Sequence, residues 1–485
     1  MATALDEPPS SIRAAAGAGP RRATTLRKDL RAIMGDGASF SVMVGVGETY
    51  LPAFALAAGM GELAAGLITT VPLVGGACLQ LASPAAVRRL GSHRRWVVLC
   101  AVCQCASFVP LVAMILLGRI QPALVFLMAA VYWGAGMGTG PAWNTWVGTL
   151  VPGSIRPAYF ARRTRVSQAG VLVGFLGGGF ALQAGAAWGR VLPAFACLFF
   201  TAAVCRFISA AFLASQSEPC PPTSGHRDVP LAEFVRRLRG GADGSLLIYL
   251  LCVQSAAQIA GPYFTPYMLN QLRFSYLEYV LLIGTSFVAK ILALPALGRL
   301  ARRTGARHLL WVGGIGIVPI SGLWLVSQSF GFLVIVQLLG GVAWAAYELA
   351  MFLLFFETIR EEERTSVLTT YNFAHAMATV LGSLLGGMLL ALLGERPAAY
   401  LTLFALSSAA RMGAVMFLGR VPEVTGQVVP IATRMVELRP SIGSIDKPIL
   451  ASLPKQSPDP LSASPGPLEW QPAPPPVEQP VADQA

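Results

Sequence analysis

The chain has 485 residues, of which 54% are hydrophobic and only 12% charged, with a mean hydropathy of +0.60. Soluble globular proteins carry about 25% charged residues, so a string of soluble domains is excluded and the length is spent on membrane spans. A formal net charge of +12 would suit nucleic acid, but the basic residues follow a membrane topology and exclude that partner.

Residues 1–37 read as a polar, basic cytoplasmic tail with Arg21, Arg22, Arg27, Lys28 and Arg31 and no cleavable signal. The stretch Leu26–Met34 fits either a short amphipathic helix on the membrane surface or a flexible tail. Twelve apolar runs follow, each near the roughly 20 residues a helix needs to cross a bilayer. They predict spans at 38–59, 63–83, 96–117, 122–148, 166–187 and 190–213, then at 245–269, 276–297, 309–329, 331–356, 367–393 and 397–418. Pro52, Pro72, Pro141 and Pro266 fall inside spans, where neighbouring helices can satisfy a freed carbonyl. The spacings Gly134–Gly138 and Gly170–Gly174 let helix backbones approach closely.

The organisation is therefore an N-terminal six-helix half at 38–213, a cytoplasmic central loop at 214–244 and a C-terminal six-helix half at 245–420. Residues 421–485 are rich in Pro and Ser and read as a disordered cytoplasmic tail.

The two halves repeat each other. Arg88-Arg89-Leu90-Gly91 and Arg302-Arg303-Thr304-Gly305 lie 214 residues apart, and at the same offset Gly47 matches Gly261 and Pro52 matches Pro266. At an offset of 208, Arg156 matches Arg364, and Gly174, Gly178 and Gly179 match Gly382, Gly386 and Gly387. At 205, Gly189, Phe199, Arg206, Phe212 and Glu218 match Gly394, Phe404, Arg411, Phe417 and Glu423. Ordered matches with a slow drift are the mark of a duplicated bundle, an architecture of secondary transporters.

Of the 36 Lys and Arg residues, 29 fall on one side of this topology. The opposite loops hold Arg119, Arg190, Arg273 and Arg396. Basic residues stay cytoplasmic, so both termini are expected inside. Cys100, Cys103 and Cys105 form a C-x-x-C-x-C in the third span. In an apolar helix with no His nearby they read as small buried residues, and no metal is expected.

With these features the chain resembles the major facilitator superfamily. The resemblance rests on two six-helix halves, a long central loop and a Gly-x-x-x-Asp-Arg-x-Gly-x-Arg-type loop after spans 2 and 8, and it covers about 35–420. Pro141-Ala142-Trp143-Asn144-Thr145-Trp146, then Val151-Pro152, Arg156 and Tyr159-Phe160, is similar to a poorly characterised bacterial subgroup of that family. The resemblance implies an all-α integral membrane protein of twelve transmembrane helices in the cell inner membrane. It also implies a central cavity formed by spans 1, 4, 7 and 10 and completed by 2, 5, 8 and 11. Two departures stand out. Where the family has an acid in the repeated loop, this chain has Arg88 and Arg302, so Arg88, Arg89, Arg302 and Arg303 are gating candidates with other partners. Gly174 is followed by Phe175, not by the Pro of the drug-antiporter signature.

Ionisable residues inside spans are functional candidates by default, because lipid makes them costly. Glu48, Glu348 and His375 are the proton-coupling candidates. Burial disfavours the charged form of a carboxylate, so Glu48 can load and release a proton as access alternates. Glu348 reads as a second proton site, a ligand contact, or a structural partner of Lys290. Tyr50, Trp143, Asn144, Trp146, Tyr263, Lys290 and Asn372 are candidates to line the substrate cavity. Arg206 and Arg411, at equivalent positions on outer spans, read as structural charges. Glu361-Glu362-Glu363 can close an inner gate onto the basic loops or remain a solvated run.

The reading is a secondary active transporter of a small organic solute, working by alternating access as a monomer in the bilayer and coupled to protons. A lipid or lysolipid flippase of the same fold, and a membrane sensor or scaffold, are the alternatives. No nucleotide-binding Gly-x-x-x-x-Gly-Lys-Ser/Thr loop is present, so the energy comes from a gradient and no cofactor is expected. No nucleophile–base pair points to an enzyme.

Overall fold

The computed structural model describes residues 20–151, 156–218, 244–358 and 361–421. The 421–485 tail beyond Val421, most of the 214–244 loop and residues 1–19 lie outside the described residues.

The described chain is helical. The first half runs α1 (Pro20–Val46), a 3₁₀ turn (Glu48–Tyr50), α2 (Leu51–Ala57), α3 (Glu62–Leu67), α4 (Leu73–Leu90), α5 (His93–Ala106), α6 (Phe108–Leu116), α7 (Pro122–Leu150), α8 (Arg156–Ala187) and α9 (Val191–Ser215). The second half runs α10 (Gly244–Ala260), a 3₁₀ turn (Gly261–Tyr263), a short irregular stretch to Gln271, and α11 (Tyr276–Thr304). It continues through α12 (Ala306–Gly316), α13 (Phe330–Thr358), α14 (Glu361–Leu393) and α15 (Pro397–Leu418).

Among the described residues, 11 helices are long and apolar enough to cross a membrane. The expected span at 63–83 is different: it is split into α3 and α4. The hydroxyls of Thr69 and Thr70 bond back to the carbonyls of Gly66 and Leu67, and Pro72 has no N–H to carry the helical ladder across the gap. The expected tail at 1–37 is corrected more sharply. From Pro20 onward it is the first five turns of α1, and Ile33, Asp29 and Asp36 are buried in the bundle.

The repeated basic tetrads terminate helices. Gly91, with φ 61°, ends α4 after Arg88-Arg89, and Gly305, with φ 86°, ends α11 after Arg302-Arg303. Glycine is the residue that takes these left-handed backbone angles without strain, and arginines in a last turn oppose the negative end of the helix dipole. Ser92 then caps α5 by accepting from Arg95 N–H at 3.0 Å, and Ser275 with Glu278 forms a capping box on α11.

Two seams join the halves, α4 against α14 and α8 against α11. Within the first half, α1 and α7 touch each other only sparsely. The apolar core is not divided evenly along the membrane normal. One cluster, from Met43 to Phe404, is built from both halves. Towards the face that carries loops 88–95 and 299–307 the core separates, into a cluster of the first half around Trp146 and one of the second half around Tyr347. Among the described residues the halves are thus joined at one face, while their apolar cores are separate towards the basic face.

Candidate functional site

The site begins where α1 stops. Pro52 cannot donate to the carbonyl of Glu48, and Leu51 N–H takes that carbonyl in a 3₁₀ turn instead. The turn places the buried Glu48 carboxylate towards α7, where Tyr132 Oη donates to its Oε2 at 2.5 Å. Tyr132 is held in turn by Phe108, ring centroids 5.4 Å apart.

Glu48 lines a cavity of about 90 Å³ together with Asp36, Gln80, Gln104, Arg163 and Arg206. Arg163 Nη2 lies 3.5 Å from Asp36 Oδ2. Arg206 Nη1 donates to Ser209 Oγ at 2.6 Å, and Ser209 donates to Asp36 Oδ1 at 2.7 Å. Aromatic faces cover the guanidiniums: Arg163 sits 4.5 Å from the Trp143 ring and Arg206 4.9 Å from Phe40. Gln80 Oε1 and Gln104 Oε1 are buried without a hydrogen-bond partner among the described residues.

Glu48 and Trp143 line the cavity. Lys290 Nζ donates to Glu348 Oε1 at 2.9 Å, with side chains 2% and 3% exposed, so the two form a buried ion pair between α11 and α13. Arg411 donates to Ile317 O at 2.7 Å and to Ser407 Oγ at 2.9 Å, a scaffold role inside the second half. Asn144, Asn372 and His375 are buried, and none of them lines the cavity of the first half.

Others are corrected. Tyr50 and Tyr263 are fully buried staples, whose hydroxyls donate to Phe175 O and, at 2.8 Å, to Ser383 O. Trp146 is 1% exposed and donates to Ser217 O at 2.9 Å, facing the core of its half. Arg206, expected to be scaffold alone, lines the cavity. Arg88, Arg89 and Arg303 are exposed, and the side chains of Arg302 and Glu361–Glu363 lie outside the described residues. The N-terminal end of α5 is met by Glu218. Its carboxylate accepts from Ser92 Oγ at 2.5 Å and from His93 N–H at 2.6 Å.

Asp36, Arg163, Gln80, Gln104 and Tyr132 were not anticipated. One signal was available: Asp29, Ile33 and Asp36 share a helical stripe, a period that extends the first helix back into the supposed tail.

At the sealed face, Glu62 is another buried carboxylate. It accepts from Asn270 Nδ2 at 3.0 Å, from Gln271 Nε2 at 3.0 Å and from Tyr400 Oη, all from the other half. Thr70 and Ser383 hydroxyls meet at 2.6 Å, and Leu63 N–H donates to Glu395 at 3.3 Å, beside the same contact.

Residues 246–451 match the sequence model of the Major Facilitator Superfamily. No curated protein matches the chain in sequence. Among solved structures, the nucleoside transporter NupG superposes with a TM-score of 0.62 at 12% identity, over 80% of this chain and 98% of that one. The D-xylose-proton symporter gives 0.61 at 16% identity, over 83% and 99%. A bacterial homologue of the iron transporter ferroportin gives 0.60 at 14% identity in its inward-facing state, over 82% and 98%. In its outward-facing state it gives 0.52 at 15%, over 82% and 99%. Over residues 246–451 the chain thus matches the Major Facilitator Superfamily in sequence, and over its described length it shares the fold of these solved transporters, with 11 helices long and apolar enough to cross a membrane among the described residues.

Proposed function

We propose that the protein is a secondary active transporter of a small organic solute, working by alternating access and coupled to protons through Glu48. The observation that carries this reading is the Glu48 carboxylate, buried inside the first half yet lining a cavity that also holds Asp36, Arg163 and Arg206. A carboxylate in such a place is costly unless it has a task or a partner, and Tyr132 leaves it in contact with the cavity.

Charge distribution supports a cytoplasmic basic face. On that orientation the bundle is closed outside and parted inside, one of the two end states that alternating access requires. The better superposition of the ferroportin homologue in its inward-facing state is in line with this. Solved neighbours whose names carry nucleosides and sugars, one of them a proton symporter, make polar organic solutes the first pools to try.

The test is reconstitution in liposomes with an internal pH dye, adding pooled solutes to wild type and to Glu48→Gln. Solute-dependent proton flux that the variant loses supports coupling through Glu48. Solute flux without protons, equal in both, overturns the coupling and leaves a uniporter.

A further inference from the structure

We propose that the cavity inside the first half is a water-filled path through which Glu48 exchanges its proton with the basic face, with Asp36 as the counter-ion that keeps the path passable. This rests on Glu48 being the coupling group.

Asp36 lies on α1 and Glu48 in the 3₁₀ turn that follows it, twelve residues and so roughly 18 Å apart at about 1.5 Å per residue. Both line one cavity, which makes it a slot running along α1 from mid-membrane towards the basic face. Its volume of about 90 Å³ is room for several waters, since one needs ~10–15 Å³. The unpartnered Gln80 Oε1 and Gln104 Oε1 border this space from α4 and α5, with residues 4% and 2% exposed. Two buried amide acceptors on one polar space are the usual setting of ordered water. Thr139, Gly140 and Arg163, on α7 and α8, are among the less buried residues of the lining. All lining residues belong to the first half, so the slot is not built on a contact between the halves.

Electrostatics gives Asp36 its part. It is faced by Arg163 and Tyr159 from α8 and by Arg206 from α9. Arg206 is faced by Asp36, by Tyr132 from α7 and by Cys100 and Cys105 from α5. Glu48 is faced by Tyr132. Two carboxylates, Asp36 and Glu48, thus share the slot with two guanidiniums. Without Asp36 the guanidiniums dominate and a protonated water is repelled, as at an arginine constriction in a pore. The step itself is a proton transfer. An O–H bond of a protonated slot water breaks as one forms on the Glu48 carboxylate, and the proton is replaced along the waters from the basic face.

The test uses the full chain in vesicles of one orientation and needs no solute. Gln104→Cys is treated with a membrane-impermeant methanethiosulfonate from either face, read against the labelling of wild type by its own cysteines. Labelling from the basic face alone is expected; none from that face, or equal labelling from both, overturns the slot. The infrared carboxyl band that Glu48→Gln removes is then followed after transfer to D₂O. Its exchange is expected to slow at least tenfold in Asp36→Asn, and equal rates overturn the role of Asp36. Should Asp36→Asn fail to fold, the Gln104→Cys result still decides the slot. A labelled slot in a chain that moves no solute would count against the transport reading alone, and transport without labelling would count against the slot alone.

Discussion

Tyr50 and Tyr263 occupy the same place in the two halves. Each ends a 3₁₀ turn that breaks the first helix of its half, and each hydroxyl reaches a backbone carbonyl of the fifth, Phe175 O or Ser383 O. The matched glycines explain how the rings fit. A Cβ on Gly178 would lie 2.4 Å from the Tyr50 ring, and one on Gly386 would lie 2.9 Å from the Tyr263 ring and 2.1 Å from Ile259 O. Tyr50→Phe and Tyr263→Phe should each cost about 1 kcal/mol, one buried hydrogen bond, and should add because the sites are separate. Gly386→Ala must displace backbone and should cost about 1–3 kcal/mol. Thermal unfolding in detergent, with all variants side by side, checks the order.

Glu62 should hold the sealed face shut. Its three donors come from the other half, and hydrogen bonds to a charged group are worth about 1.5–3 kcal/mol each. Tyr400→Phe should therefore move the balance towards the state open at that face by about tenfold or more. Paired spin labels on the loops after α2 and after α14 would report it as a longer distance. An unchanged distance distribution would mean that the apolar cluster alone seals this face.

Lys290 and Glu348 are buried together at 2.9 Å. Removing one partner leaves a charge without its counter-ion and should cost about 3–5 kcal/mol, whereas replacing both with apolar residues of similar size is often neutral. Lys290→Met with Glu348→Leu should then unfold near the wild-type temperature, with each single variant well below it. If the double variant is stable yet transports nothing, the pair belongs to the transport cycle.

How much of this the sequence carried depends on what each residue does. Gly47 and Gly261 beside the turns, the capping Gly91 and Gly305, and the packing Gly174 and Gly382 were all readable as repeats, because a left-handed backbone at the caps and close neighbours at the others allow few other residues there. The Lys290–Glu348 pair was readable because opposite charges inside apolar spans seek each other. Side-chain direction was not readable on helices that are apolar all round, since no hydrophobic face marks the inside. That is why Tyr50, Tyr263 and Trp146 were expected in the cavity and Arg206 outside it. Asp36 was hidden by composition: the polar, basic stretch before residue 38 resembles a tail, although its buried stripe of Asp29, Ile33 and Asp36 continues the helix.

Glu218 gives the last prediction. It lies just past α9, half-buried, and its carboxylate accepts from Ser92 Oγ, from His93 N–H and, at 3.3 Å, from Arg94 N–H. An anion there satisfies N–H groups that the helix itself leaves open and meets the positive end of its dipole. Gln216 O also takes Arg94 Nη1 at 3.2 Å, so the end of α9 is tied to the start of α5. Glu218→Ala should cost about 1–2 kcal/mol locally, and amide exchange at His93 and Arg94 should rise by about tenfold, since 1.4 kcal/mol is a factor of ten. Glu218→Gln keeps the acceptor oxygen and loses the charge, so it should fall between. Equal exchange in Glu218→Gln and wild type would assign the whole effect to hydrogen bonding and none to the dipole.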